Sequence, residues 1–225
     1  MGASAWLREE DMKTPSTGNL LTEAQRLIAT APFESGAYVL LTALASSLSD
    51  VPGWEGAGIF ASTAASLGLG YLLVVAMVEK GRLSEGNRAR FWPYFSLGLL
   101  MSIGIGLASL LLIVPGIFLW VRWSAAYGFL AAEGTGAAEA MTKSFDITRG
   151  IAWASFGALV IPLAIFLFAA FSMGFLTRIS EMLFWPVSLA ANLAISLAGL
   201  LTTGIGLAVY SLRRDSVHGL DEVFA

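Results

Sequence analysis

The sequence contains no cysteine and a single histidine, His218, near its C-terminal end. Without cysteine there is no disulfide framework, no thiolate metal site and no thiol nucleophile. One histidine cannot supply the two axial ligands of a bis-histidine haem, and no other histidine is present to act as a catalytic base. GxSxG, HExxH and P-loop patterns are also missing. Charge is scarce: Asp, Glu, Lys and Arg make up 13% of the chain, about half the share in a soluble domain. The formal net charge is −3 and no run of basic residues occurs, which argues against nucleic acid as a partner. No apolar segment follows the first residues at signal-peptide distance, so no cleavable leader is expected. No cofactor and no metal are expected either.

Apolar sequence fills the space. Of 225 residues, 56% are hydrophobic, 12% are aromatic and 24 are glycine, and the mean hydropathy is +0.74. Glycine and interfacial tryptophan are frequent in membrane helices. The expected class is all-α: a polytopic membrane bundle of about six transmembrane helices with two cytoplasmic-side amphipathic helices. Spans of about 20 apolar residues are expected near 33–49, 58–78, 92–114, 117–132, 151–175 and 185–212. Pro115-Gly116 is expected to make the turn between the third and fourth, and Pro162 to kink the fifth. The first span is short, closed by Asp50 and Pro52. Residues 1–18 read as a polar tail, 19–212 as one membrane domain and 213–225 as a short C-terminal tail.

The amphipathic stretches lie at 19–31 and 136–150. In the first, Leu20, Leu21, Ala24, Leu27, Ile28 and Ala31 share a helical face, and Pro32 ends it. In the second, Ala138, Met141, Phe145 and Thr148 form the less polar face, with Glu139 and Lys143 paired at i,i+4. Each could lie in the interface or pack beneath the bundle. Eleven of the 13 Lys and Arg residues fall at one end of a six-span arrangement. The positive-inside rule then puts both termini in the cytoplasm, and the expected location is a bacterial inner membrane. Trp54, Trp92, Trp153 and Trp185 mark span edges.

Helices in lipid associate through small residues and polar contacts. Gly58, Ser62, Ser66 and Gly70 form one such stripe. Ala190, Ala194, Ala198, Thr202 and Gly206 form another, and Ser102 and Gly106 a shorter pair. They read as contact faces within the chain, or alternatively with a second copy. Among intramembrane polar residues, Arg122 stands out because a charge in hydrocarbon is costly. It forms either a lipid-phosphate or small-anion site with Trp120 and Trp123, or a structural group that snorkels outward or bonds carbonyls freed near Pro115. Asn192 forms either an interhelical hydrogen bond or a substrate contact. No acidic residue lies deep in a span, which argues against a proton-coupled transporter.

Three segments together resemble a known family: LLTEAQRLIATAPF before the first span, LLLIVPGIFLWVRW at the hairpin, and AEAMTKSFDITRG before the fifth. They are similar to the membrane domain of glycerophosphoryl diester phosphodiesterases, which also occurs in stand-alone bacterial membrane proteins of unknown function. Pro115, Gly116, Arg122, Ala140, Lys143, Ser144 and Gly150 carry most of the likeness. It implies a fold of about six membrane helices. It does not imply the diesterase reaction, because the chain has no room for a catalytic barrel. The leading expectation is a non-catalytic accessory or scaffold subunit, with membrane lipids and another integral membrane protein as partners. The alternative is a lipid or small-anion binding or transport protein using Arg122.

Overall fold

The computed structural model describes residues 15–84, 90–176 and 184–224, with side chains described through residue 214 apart from Leu176. The bends of this all-helical chain fall where the sequence withdraws a backbone donor or a helical conformation. Helix α1 (Thr17–Thr30) starts behind Ser16, whose hydroxyl accepts from the Asn19 amide at 3.2 Å, a standard N-cap. Helix α2 (Pro32–Leu48) follows after one residue. Ala31 leaves the helical region (φ −128°, ψ 60°), because a residue before proline is pushed out of α conformation. The two axes meet at 91°. Carbonyls freed at the bend accept side-chain donors, Thr30 Oγ1 to the Leu27 oxygen at 2.6 Å and Ser35 Oγ to that of Ile28 at 3.4 Å.

The chain continues as α3 (Glu55–Lys80), α4 (Phe91–Leu111), α5 (Ile113–Arg122), α6 (Ala126–Glu133), α7 (Ala137–Ile147), α8 (Ala152–Leu176) and α9 (Phe184–Phe224). Among the described residues, five segments are long and apolar enough to cross a membrane: α3, α4, Ile113–Glu133, α8 and α9 up to Arg214. The bent α1–α2 pair brings the number to six. At 17 residues, α2 is short of a span by itself.

Several boundaries differ from the sequence expectations. Helix α1 begins two residues earlier, and α9 runs on past Arg213 to Phe224. Residues 1–14, Arg88 and Arg178 lie outside the described residues, as does the side chain of His218. Pro115 and Gly116 do not form the turn. The α4–α5 hairpin closes at Leu112, which is extended (φ −160°, ψ 141°), and Pro115 sits in the first turn of α5. The missing N–H of proline costs nothing there, since first-turn amides have no intrahelical acceptor. A Cβ on Gly116 would overlap Ser109 of α4, so Gly116 sets how close the two arms come. Pro162 lies inside α8 without ending it.

One end of the bundle carries α1, α7 and all the ion pairs found among the described residues: Glu23–Arg26 (2.6 Å), Glu34–Lys80 (2.7 Å), Glu133–Lys143 (2.9 Å) and Glu139–Lys143 (3.2 Å). We call it the charged end. There Ser211 donates to Glu23, Tyr210 to Glu133, Arg213 to the Ile147 carbonyl and Arg214 to that of Leu83. The hydrogen bond from Arg26 holds the Glu23 carboxyl below the usual carboxylate range. Both amphipathic helices pack on the bundle. Leu20, Ala24 and Leu27 of α1 are buried, and so are Ala140, Ser144 and Ile147 of α7. Of the expected face only Thr148 is fully buried; Ala138 is exposed, and Met141 and Phe145 are half-buried. Trp54, Trp92, Trp153 and Trp185 are all exposed on the outside of the bundle.

Helix α9 is the central post, in contact with α1, α2, α6, α7 and α8. Its glycines are sites of close approach. A Cβ on Gly206 would overlap the Ser124 carbonyl oxygen, one on Gly204 would press on Ile28, and one on Gly199 would meet the Tyr38 hydroxyl. Overpacking a well-filled site costs about 1–3 kcal/mol. Gly206→Ala is therefore expected to lower thermal stability by that amount in detergent unfolding. Gly68→Ala, facing open space, is expected to be neutral or stabilising by up to about 1 kcal/mol. Equal effects of the two would disprove this account of α9.

Candidate functional site

The site is built around a helix that breaks inside an apolar segment. Between α5 and α6 the turn Trp123–Ala125 interrupts the ladder, and the Arg122 carbonyl needs other donors. They come from α7: Ser144 Oγ donates at 2.9 Å and Thr148 Oγ1 at 3.3 Å. Ser144 Oγ also accepts from the Ala125 amide at 3.1 Å. Both hydroxyl residues have no solvent exposure. In a membrane core such irregular backbone is tolerated only where protein groups satisfy it. This explains why α7 buries its small polar side.

Docking α7 here carries Phe145 over the Arg122 side chain. The guanidinium carbon lies 3.9 Å from the Phe145 ring centre and 5.8 Å from that of Phe118. Arg122 is 5% exposed, and its Nε has no hydrogen-bond partner. Among the described residues no carboxylate comes within ion-pair distance of it. Asp146 and Arg149 act on it through space with opposite signs. Beside it runs a groove of about 460 Å³, lined by Leu100, Trp123, Met141 and Phe145, with Asp146 at its polar edge.

Arg122 thus neither snorkels outward nor bonds carbonyls near Pro115. Of the residues expected around it, only Trp123 is close, lining the groove and pressing on Gly104 of α4. Trp120, two residues before Arg122, projects about 200° away around α5 and lines a different cavity with Thr42, Ser66 and Thr202. The rings that face Arg122 are those of Phe118 and Phe145. Phe118 was open to inference at i−4, whereas Phe145 reaches Arg122 only through tertiary packing.

Asn192 belongs to the opposite end. Its amide donates to Ser47 Oγ at 3.1 Å and to Asp50 Oδ2 at 3.1 Å, with Ser188 Oγ at 3.4 Å. Ser188 also donates to Asp50. This cluster pins α9 to the end of α2, in line with an interhelical hydrogen bond. The small-residue stripes divide similarly. Gly58 and Gly70 make close contacts, with the backbone of Ser49 and the Tyr94 hydroxyl. Ser62 and Ser66 between them face cavities instead. In α9, Gly206 and Ala198 are buried, while Thr202 lines a cavity and Ala194 is half-buried. Ala190 is exposed, and Ser102 lines a cavity while Gly106 meets open space.

The chain matches no protein-family model, no curated protein and no solved structure.

Two stability predictions follow from this geometry. Ser144→Ala should cost about 1–3 kcal/mol, because the Ala125 amide loses its acceptor in a buried place; Ser144→Thr should recover part of the loss. A double-mutant cycle on Asp50→Ala and Asn192→Ala should give a coupling of about 0.6–1.7 kcal/mol, the range for interhelical hydrogen bonds in membranes. Additive effects would mean that the cluster does not hold α2 to α9.

Proposed function

We propose that this chain is a non-catalytic integral membrane protein that binds a phosphate-bearing lipid at Arg122. The observation that carries the reading is the buried guanidinium with no carboxylate paired to it among the described residues. Buried charges are ordinarily paired, and arginine's planar fork suits phosphate oxygens. The adjoining groove of about 460 Å³ is walled by Leu100, Trp123, Met141 and Phe145 and would receive an acyl chain beside the headgroup. The concentration of cationic residues at the same end supports a cytoplasmic orientation for it. By the same rule, both termini would be cytoplasmic; the bacterial inner membrane is proposed from the likeness to the stand-alone bacterial proteins.

Most residues behind the likeness to the phosphodiesterase membrane domain contribute to this region. Arg122, Ser144 and Lys143 lie in or beside the α5–α7 contact, Gly116 sets the hairpin, and Gly150 turns the chain into α8 with a positive φ of 83°. Membership of that family's stand-alone branch is proposed on the sequence likeness alone. The accessory-subunit reading is the second one: of its small-residue stripes, Gly58, Gly70, Ala198 and Gly206 pack inside the chain, while Ala190 and Gly106 stay open to a partner.

The test is the lipid content of protein reconstituted in mixed-lipid nanodiscs and then examined by native mass spectrometry. The wild type should retain an anionic phospholipid. Arg122→Gln should lose about tenfold or more in occupancy while keeping its helical content, and Arg122→Lys should retain part, since lysine offers a point charge without the fork. Competition by inorganic phosphate would point to a free anion rather than a lipid. Unchanged lipid content in Arg122→Gln would end the proposal.

A further inference from the structure

The end of α7 carries two further charges beside Arg122, one of each sign. The helix docks with Ser144 and Thr148 on the Arg122 carbonyl, and this docking fixes where the neighbouring residues fall. Asp146 lines the apolar groove together with Phe145, whose ring centre lies 3.9 Å from the Arg122 guanidinium. Arg149 comes directly after Thr148, and its amide donates to the Asp146 carbonyl at 3.0 Å. Both side chains are exposed. Among the described residues neither makes an ion pair or a side-chain hydrogen bond, whereas Glu139 and Lys143 on the same helix are paired. We infer that the site takes a phospholipid with an amino-acid headgroup, its phosphate on Arg122, its ammonium on Asp146 and its carboxylate on Arg149, the charges that phosphatidylserine carries. The inference rests on the phosphate reading of Arg122 and names the headgroup.

Depth and sign assign the three charges. Arg122 Nε is enclosed and has no partner. The terminal guanidinium nitrogens are not enclosed, and among the described residues neither donates a hydrogen bond, so a phosphate would meet those. In a phospholipid the phosphate is the charge nearest the acyl chains, and Arg122 is the buried cation next to the groove. The outer charges of a headgroup lie farther from the chains, and Asp146 and Arg149 are the exposed residues. A headgroup with a phosphate alone would bring a negative charge up to Asp146 with nothing to offset it, and like charges placed together are unfavourable. An ammonium on the headgroup turns that repulsion into attraction. With an ammonium but no carboxylate, Arg149 would stay without a counterpart. A headgroup bearing both leaves none of the three side chains unmatched. Asp146 is thus the element that rejects wrong headgroups as well as the one that attracts the right one. Phosphatidylglycerol has the same net charge as phosphatidylserine but no ammonium for Asp146, and phosphatidylethanolamine has the ammonium but no carboxylate for Arg149.

The probe is a nanodisc holding phosphatidylserine, phosphatidylglycerol and phosphatidylethanolamine in equal parts, with the full chain reconstituted and the retained lipid read by native mass spectrometry. Exposed ion pairs are weak, each worth at most about fivefold, so the wild type should retain phosphatidylserine about threefold to tenfold over each of the other two. Asp146→Asn should lower the ratio of phosphatidylserine to phosphatidylglycerol about threefold, and Asp146→Glu should keep it. Arg149→Gln should lower the ratio of phosphatidylserine to phosphatidylethanolamine by a similar factor. A merely structural role at either position would not alter which headgroup is kept. Arg122→Gln should lose all three lipids. Displacement of the lipid by millimolar phosphoserine would uphold the charge assignment with a free solute as the source. Equal retention of the three lipids by the wild type, or ratios unmoved by Asp146→Asn and Arg149→Gln, would overturn the inference while a loss of lipid in Arg122→Gln still upheld the phosphate reading. Lipid retained unchanged by Arg122→Gln would overturn both.

Discussion

Helices that meet in lipid gain little from hiding apolar surface, since the lipid they leave is as apolar as the neighbour they join. What holds them is contact at short range, and short range requires small side chains where backbones cross. Helix α9 meets this constraint on several sides at once. Its membrane segment is 56% buried, against 22% for α3, α4 and α8. Gly199, Gly204 and Gly206 face α2, α1 and the α5–α6 turn respectively. Because the three point in different directions, α9 sets the depth of three separate partners. Near Thr202 and Thr203 the neighbours do not close on it fully, and an open cavity of about 490 Å³ lies beside them.

The second organising feature is a backbone problem and its solution. A helix broken between Arg122 and Ala126 would leave polar groups bare in hydrocarbon. Helix α7 supplies two hydroxyls, and in doing so it must turn Ala140, Ser144 and Thr148 inward. Phe145, next to Ser144, is thereby carried onto the guanidinium of Arg122. The cationic site and the satisfied break are one arrangement: the residues that repair the ladder also deliver the ring that covers the charge.

Much of this architecture could be read from the chain itself. Apolar run lengths gave the class and nearly every span, and tryptophans at Trp54, Trp92, Trp153 and Trp185 gave edges. Gly58, Gly70 and Gly206 were legible as contacts from their spacing. The Pro115-Gly116 turn was misread because both residues favour turns in water, whereas here proline occupies a first helical turn and glycine a helix crossing. The stripes were legible only in part, since spacing cannot distinguish a small residue beside a helix from one beside a void. The partner of Asn192 was hidden for another reason. Asp50 lies 142 positions away and sits in what reads as a loop.

The energetics of Arg122 show why an unpaired cation can persist there. Placing arginine at the centre of a membrane helix costs about 2.5–3.5 kcal/mol on insertion scales. A desolvated cation–π contact returns about 2 kcal/mol or more, and the Phe145 ring at 3.9 Å is placed to give most of it. The remainder, about 1 kcal/mol, is small enough for a folded bundle to carry without an anion. The compensation comes from a ring, which has no net charge, and so the guanidinium stays cationic, with Asp146 acting on it only through space. A carboxylate in the same position would stabilise Arg122 more, but it would also neutralise it. Stability of the empty state and attraction for an anion are thus compatible here because the covering group is aromatic rather than acidic.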